Sequence, residues 1–239
     1  RGLCPIPGAS EDARAPLGRT PGLTLRHLAV VADAVSTAYQ SVERSGLASG
    51  ELAIVVGLGG VGTYAAQFAS RKGAAVVGVD VDPRPLKGAS KIGVGLALDG
   101  RELPPKEARA RILEFAQARG APEIGWKIFE CSGTPGGQKA AFSLLGPGAT
   151  LLVVGFTLQS VEIPLSRLMA FDARALGNWG CAPDLYPKVL EAVLDGSVDV
   201  VSHTELRPMS RLREALEDIH TRRSTRRIVL TPDGDREIA

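Results

Sequence analysis

The stretch from Glu51 to Gly73 constrains the fold of this chain more than any other. It opens on an unbroken apolar run, Leu52 to Val56, short and β-branched enough to predict a strand buried on both faces. Glycines follow at 57, 59 and 62, with Gly60 and Val61 between them. A segment with Val61, Ala65, Phe68 and Ala69 on one helical face comes next, closed by Gly73. A second apolar run then ends in Asp80. Strand, glycine turn, helix and acid-tipped strand form the pattern that takes a dinucleotide pyrophosphate. Gly57 allows the tight turn, Gly59 the approach of a phosphate to the backbone, and Gly62 close packing of helix on strand. The helix start offers N–H groups and the positive end of its dipole to the phosphates.

Asp80 stands 23 residues beyond Gly57, the place of the acid that hydrogen-bonds the adenosine ribose. Its charge also repels a 2′-phosphate, so NAD is expected rather than NADP. Arg84, close by in sequence, leaves NADP open, and an acid that merely ends a strand is the other reading of Asp80.

The alternation continues downstream. Helices are predicted over 84–92 (weakened by Gly88), 105–119, 134–145 (capped by Thr134) and 166–171, and strands over 95–98, 126–131, 149–154 and 174–179. Six strands alternating with helices predict an α/β fold, a doubly wound parallel sheet in the order 3-2-1-4-5-6. Right-handed crossovers place Cys131-Ser-Gly133 and Val154-Gly155-Phe156 beside the glycine turn, around one crevice.

The flanks read differently. A short strand near Leu3 to Ile6, an apolar segment Leu25 to Ala32 and a helix from Asp33 to Gly46 precede the core. Helix 185–194, strand 198–201, helix 210–220 and strand 226–230 come after it, and they are expected to pack with residues 1–32 rather than to extend the sheet. The segment before Gly50 reads as the end of a domain rather than its start. The expected division is 1–35 as the end of a second domain, 36–180 as the dinucleotide-binding domain and 181–239 as a return segment.

Composition sets outer limits. A net charge of +2 argues against a polyanionic partner, so no nucleic acid is expected. No apolar run reaches the roughly 18 residues of a membrane-spanning helix, and no signal pattern opens the chain. Cys4, Cys131 and Cys181 lie far apart without CxxC spacing, which suits reduced thiols in a cytoplasmic protein. Cys131 reads as a small thiol lining the crevice rather than a nucleophile, since no base accompanies it. Ser132 and Ser143 have no GxSxG context. His27, His203 and His220 stand apart from any ligand spacing and read as structural or exposed.

A cofactor domain late in the chain, followed by a short return segment, resembles the zinc-containing medium-chain alcohol dehydrogenases. The resemblance covers nearly all of this chain but only the later part of the family's length. The family's first ligand cysteine, its Gly-His-Glu ligand motif and its four-cysteine loop do not occur here. A narrower resemblance is to the NAD-dependent 6-hydroxycyclohex-1-ene-1-carbonyl-CoA dehydrogenases of anaerobic benzoyl-CoA breakdown. It is carried by Leu3-Cys-Pro-Ile-Pro7, Val30-Val-Ala-Asp-Ala-Val-Ser-Thr37, Gly125-Trp-Lys-Ile-Phe-Glu130, Leu165-Ser-Arg-Leu-Met-Ala-Phe-Asp172, Trp179-Gly-Cys181 and Arg207-Pro-Met-Ser210.

The resemblance implies a six-stranded Rossmann sheet with remnants of a GroES-like catalytic domain. It implies oxidation of a secondary alcohol to a ketone, with NAD and a catalytic zinc whose ligands fall mostly outside this chain, as do the catalytic residues. Asp33 falls at the family's third zinc ligand; read from the sequence alone it is a helix N-cap. Thr37 matches a threonine that touches the nicotinamide, or is a plain helix hydroxyl. Arg226 matches an arginine that reaches the pyrophosphate, and Gly155 lines the crevice with Cys131. Arg222, Arg223 and Arg227 form a solvated basic face, or contact the phosphates of a cyclic hydroxyacyl-CoA, the implied substrate. A homo-oligomer formed through sheet edges is also implied. The alternatives are another zinc-dependent alcohol or polyol dehydrogenase, a zinc-free quinone or enoyl reductase, and a non-catalytic NAD-binding fragment.

Overall fold

A computed structural model describes residues 4–101 and 104–233. The chain divides into two compact units, Thr37–Cys181 and a second made of Arg1–Ser36 with Ala182–Ala239.

The first unit is built on a six-stranded parallel sheet. Its strands are β1 (Leu52–Val56), β2 (Ala75–Asp80), β3 (Leu96–Asp99), β4 (Lys127–Glu130), β5 (Thr150–Val153) and β6 (Arg174–Gly177), in the order β3-β2-β1-β4-β5-β6. The predicted order and strand count are both found. β1 lies between β2 and β4, and all five of its residues are buried, as expected for a strand covered on both faces. Side chains alternate across a strand, so Leu52, Ile54 and Val56 share one face. They pack there with Ile128, Leu151, Ile112, Ala116 and Phe142, the last three from helices α4 (Pro105–Ala118) and α5 (Pro135–Ser143). Ala53 and Val55 point to the opposite face, where helix α2 (Gly62–Arg71) runs from β1 to β2. There Phe68 meets Tyr39 of helix α1 (Ala34–Arg44) edge to face at 5.1 Å. Helices on both faces make the sheet doubly wound.

Local chemistry explains most boundaries. Pro105 starts α4, where its missing N–H costs nothing. Thr134 caps α5 by accepting the N–H of Gly137 at 3.1 Å. The segment 84–92 is not one helix: Gly88 divides it into α3 (Pro83–Lys87) and a 3-10 turn, Ala89–Ile92. A short helix, α6 (Ser166–Ala170), precedes β6, which has one sheet neighbour and mostly exposed side chains.

The second unit holds a 3-10 helix at Leu25–Ala32, helix α7 (Tyr186–Leu194), strand β7 (Thr204–Pro208), helix α8 (Leu212–His220) and strand β8 (Arg227–Thr231). β7 and β8 pair in parallel as a separate two-stranded sheet that packs against Leu25–Ala32. Arg207 on β7 is buried and ion-paired to Glu205 and to Asp218 of α8, which fastens the crossover helix to its sheet.

Two sequence expectations fail in the flanks, and the apolar segment Leu25–Ala32 takes a form the sequence left open. No strand forms over Cys4–Ile6, and Leu3 lies outside the described residues. The apolar approach at Leu25–Ala32 is a 3-10 helix. The strand expected over 198–201 is a turn: Val198 and Val200 are buried, but Val198 N–H bonds Ala192, and Asp199 Oδ1 accepts the N–H of Ser202. Buried valines there anchor a loop, and pairing with β8 begins only at Thr204.

Candidate dinucleotide site

β1 ends where the chain must turn sharply into α2. Gly57 takes φ +91°, a conformation open to glycine, and its N–H bonds Val79 O at 2.8 Å. At Gly62 a Cβ would lie 1.7 Å from Gly57 O, so only hydrogen lets α2 start so close to the strand. At Gly59 a Cβ would meet nothing within 4 Å, so that glycine faces open space. Helix α2 begins at Gly62, so the N–H groups at 60–62 have no partner inside it.

Asp80 at the tip of β2 closes the other side. Its Oδ2 accepts the N–H of Leu58 at 2.6 Å and its Oδ1 that of Asp82 at 2.8 Å. Each carboxylate oxygen keeps a further lone pair for a ribose hydroxyl. Arg84 is committed to Asp82 through both of that residue's carboxylate oxygens, and its guanidinium holds the Asp82 carboxyl below the usual range. Arg101 does the same to Asp99, which is lowered to about 2. Asp80, Asp82 and Asp99 thus outnumber Arg84 and Arg101 at this corner.

Across β1, the carboxyl ends of β4 and β5 form the rest of the crevice. Cys131 N–H bonds Val56 O at 2.8 Å, and a Cβ at Gly62 would come within 3.2 Å of the Cys131 side chain. Burial first, and then the neighbouring Glu130 charge, push the Cys131 thiol well above its usual range. Val154 and Gly155 donate their N–H groups to Glu130 O at 2.9 and 2.8 Å. Sequence reasoning passed over Glu130 itself, which is fully buried and accepts from Ser132 N, Ser132 Oγ and Gly133 N through Oε1. The available signal was an acid ending the apolar run Ile128-Phe-Glu130, directly before Cys-Ser-Gly. Asn178 and Gln40 were also passed over. Asn178 Nδ2 donates to Thr37 O at 3.3 Å, and Gln40 Nε2 donates to Asn178 Oδ1 and Gly180 O, so the chain after β6 is tied to α1 beside Thr37.

The fold therefore gathers Gly57, Gly59, Gly60, Val61, Gly62, Asp80, Cys131 and Gly155 around the carboxyl edge of one sheet, with Thr37 in the same unit. Asp33 and Arg226 belong to the other unit. Asp33 stands before α1, and its carboxylate pairs with Arg227 at 2.9 Å. Arg223 pairs with Asp218 and Glu217, so neither Arg223 nor Arg227 is simply a solvated cation. Arg226 is exposed, its N–H on Ser224 Oγ. His27 and His203 are pushed down mainly by burial.

These residues suit a dinucleotide: open space over Gly59, a helix starting at Gly62 and the Asp80 carboxylate beside the same turn. They do not by themselves suit zinc, because no group of three or more His, Cys, Asp or Glu among the described residues can hold a metal ion.

Residues 60–195, more than half of the chain, match the zinc-binding dehydrogenase family. The chain belongs to this family. An alcohol dehydrogenase of Geobacillus stearothermophilus is 27% identical over 183 residues, 76% of this chain and 51% of the relative. A sorbitol dehydrogenase of Bacillus subtilis is 28% identical over 174 residues, 72% of this chain and 47% of the relative. The chain thus spans about half the length of these curated relatives. Among solved structures, an acetophenone reductase of Geotrichum candidum in complex with NAD superposes with a TM-score of 0.76 at 20% identity, covering 90% of this chain and 58% of that one. At that identity the likeness establishes the fold, a six-stranded parallel Rossmann-type sheet.

Proposed function

We propose that this chain is the cofactor-binding part of an NAD-dependent alcohol dehydrogenase that oxidises a secondary alcohol to a ketone. The observation that carries the reading is the Gly57–Gly62 turn facing open space with Asp80 beside it, set on β1 at the point where the strand order reverses. The alcohol and sorbitol dehydrogenase relatives support the reaction class.

In this reading the N–H groups at the start of α2 hold the pyrophosphate, and Asp80 holds the adenosine ribose while its charge rejects a 2′-phosphate. Cys131 and Gly155, at the ends of β4 and β5, shape the wall along the second nucleotide, with Thr37 on the same side. On the resemblance, Arg226 is assigned to the pyrophosphate and Asp33 to the role of a metal ligand. NAD held there would supply the acceptor for the hydride of the carbinol C–H, with the hydroxyl proton released to solvent. The protein's part is orientation and charge placement.

The substrate proposed is a cyclic hydroxyacyl-CoA, with 6-hydroxycyclohex-1-ene-1-carbonyl-CoA going to its 6-oxo product. It is supported by the sequence stretches that resemble those dehydrogenases and by nothing in the spacing of residues. The units 1–35, 36–180 and 181–239 keep their proposed roles, in a cytoplasmic homo-oligomer joined at the outer strand β6. The largely exposed side chains of that strand and of nearby Trp179 support such a contact. No helix among the described residues is long and apolar enough to cross a membrane.

Titration with NADH and NADPH, followed by fluorescence of Trp126 and Trp179, tests the cofactor reading. Saturable binding with NADH preferred is expected; a folded chain that binds neither refutes it. Turnover of simple alcohols or polyols as well as the cyclic thioester by the enzyme would return the substrate to the general family class. A monomer in light scattering would remove the β6 contact.

A further inference from the structure

We infer that Glu130 is a positioning residue for the second nucleotide, a reading that rests on the dinucleotide site proposed above. A carboxylate with no exposure, buried at the end of a central strand, needs a reason to be there, since burying charge is costly unless it is hydrogen-bonded. The reason lies in the turn after β4. Oε1 accepts from Ser132 N at 2.8 Å, Ser132 Oγ at 2.5 Å and Gly133 N at 3.1 Å, so one oxygen fixes the start of that turn. Ser132 Oγ in turn lies 3.1 Å from Thr134 Oγ1, the cap of α5. The carboxylate therefore sets where α5 begins as well as the path of the turn.

Oε2 has no hydrogen-bond partner and points the other way, toward β5. A Cβ on residue 155 would come within 2.8 Å of it and within 2.2 Å of Gly133 N. The Glu130 carboxylate and the backbones of Gly133 and Gly155 thus occupy one close-packed junction between the turns after β4 and β5. The Glu130 carbonyl completes it by accepting from both Val154 and Gly155. At an open α/β sheet the dinucleotide crosses from the β1–β2 side, where Asp80 stands, to the β4–β5 side. The junction governed by Glu130 lies under the second half. Its geometry should matter to the nicotinamide nucleotide and not to the adenosine diphosphate half.

The test compares the wild-type chain with Glu130→Gln and Glu130→Asp, reading affinity for NADH and for ADP beside the melting temperature. The Gln amide oxygen can take the place of Oε1, whereas Asp retracts the carboxylate by one methylene. Expected is a graded loss of NADH affinity, a few-fold for Gln and about tenfold or more for Asp, with ADP affinity unchanged in any variant that folds. A Ser132→Ala variant, removing one of the three donors, should fall between wild type and Asp. A parallel loss of NADH and ADP affinity would overturn the inference by making Glu130 a general structural support. Wild-type NADH affinity in the Gln, Asp and Ala variants would overturn it as well. Should Asp fail to fold, Gln and Ser132→Ala carry the comparison. Wild-type chain that binds ADP but not NADH, or binds neither, removes the dinucleotide site and the inference together, and is told apart by the wild-type measurement alone.

Discussion

Asp80 Oδ2 accepts the backbone N–H of Leu58 at 2.6 Å, so the acid at the tip of β2 holds the glycine turn at the end of β1. One side chain then has two tasks, shaping the turn and presenting a carboxylate to a ribose.

Replacing Asp80 by Ala should cost both. Hydrogen bonds to a charged group contribute about 1.5–3 kcal/mol, which corresponds to roughly a tenfold to hundredfold rise in the NADH dissociation constant. NADPH should be affected less, because the same change removes repulsion of the 2′-phosphate. Arg84 and Arg101 are paired to Asp82 and Asp99, so they soften the acidic corner without reversing it. Fluorescence titration with both cofactors checks this; an unchanged NADH to NADPH ratio would refute the assignment of Asp80.

Two glycines of the same turn should separate stability from binding. At Gly62 an added Cβ would sit 1.7 Å from the Gly57 carbonyl, which forces α2 away from β1, and Gly62→Ala should destabilise by about 2 kcal/mol or more. At Gly59 the same methyl meets nothing within 4 Å, so Gly59→Ala should melt within a degree or two of wild type. That methyl nevertheless projects into the space proposed for the pyrophosphate, and NADH affinity should fall about tenfold or more. Melting curves and titrations of the two variants give opposite patterns if the turn is a cradle. A Gly59→Ala chain with unaltered NADH affinity would argue that the cofactor lies elsewhere.

The central sheet was legible in the sequence because local and global signals agreed there. β1 is an apolar run bounded by turn residues, Gly73 stops α2, and Thr134 caps α5, so each boundary had its own chemistry. The flanks were less legible. Val198 and Val200 carry strand-like alternation, yet they anchor a turn held by Asp199, while β7 forms over Thr204–Pro208, a segment with little β propensity. Tertiary pairing with β8 decides that strand. In the site, the glycines and Asp80 announced themselves by spacing. Glu130 and Asn178 did not, because their roles depend on which loops the sheet order brings together.

The Arg207 network should make the second unit sensitive to acid. Arg207 hydrogen-bonds Asp218 and Glu205, and that contact holds the Asp218 carboxyl below its ordinary value of 3.8. A carboxyl whose folded value is depressed adds stability at neutral pH, and the contribution disappears as pH falls from near the ordinary value through the folded one. Arg207→Met should therefore melt lower than wild type at pH 7, where Glu205 loses its buried cation and Asp218 keeps only the longer contact to Arg223. The gap should narrow as pH falls below about 3.8, the ordinary value of the Asp218 carboxyl, because that acid is then neutralised in both chains. A gap that stays constant over that range would show that Arg207 acts through packing alone.

Cys131 should be chemically quiet despite lying at the crevice. All three cysteines are free of disulfides and part-exposed as whole residues, but the Cys131 thiol itself is buried. Burial and the adjacent Glu130 charge push the Cys131 thiol up, and the thiolate is the form that attacks disulfide reagents. In the native chain at pH 8, Cys4 and Cys181 should react with a chromogenic disulfide, and Cys131 should join them only after denaturation. The count of titrated thiols before and after denaturant measures this directly, and peptide mapping assigns each position. Rapid native modification at Cys131 would contradict the buried, uncharged thiol. Protection of a Cys131-reactive fraction by NADH would place that side chain on the cofactor wall.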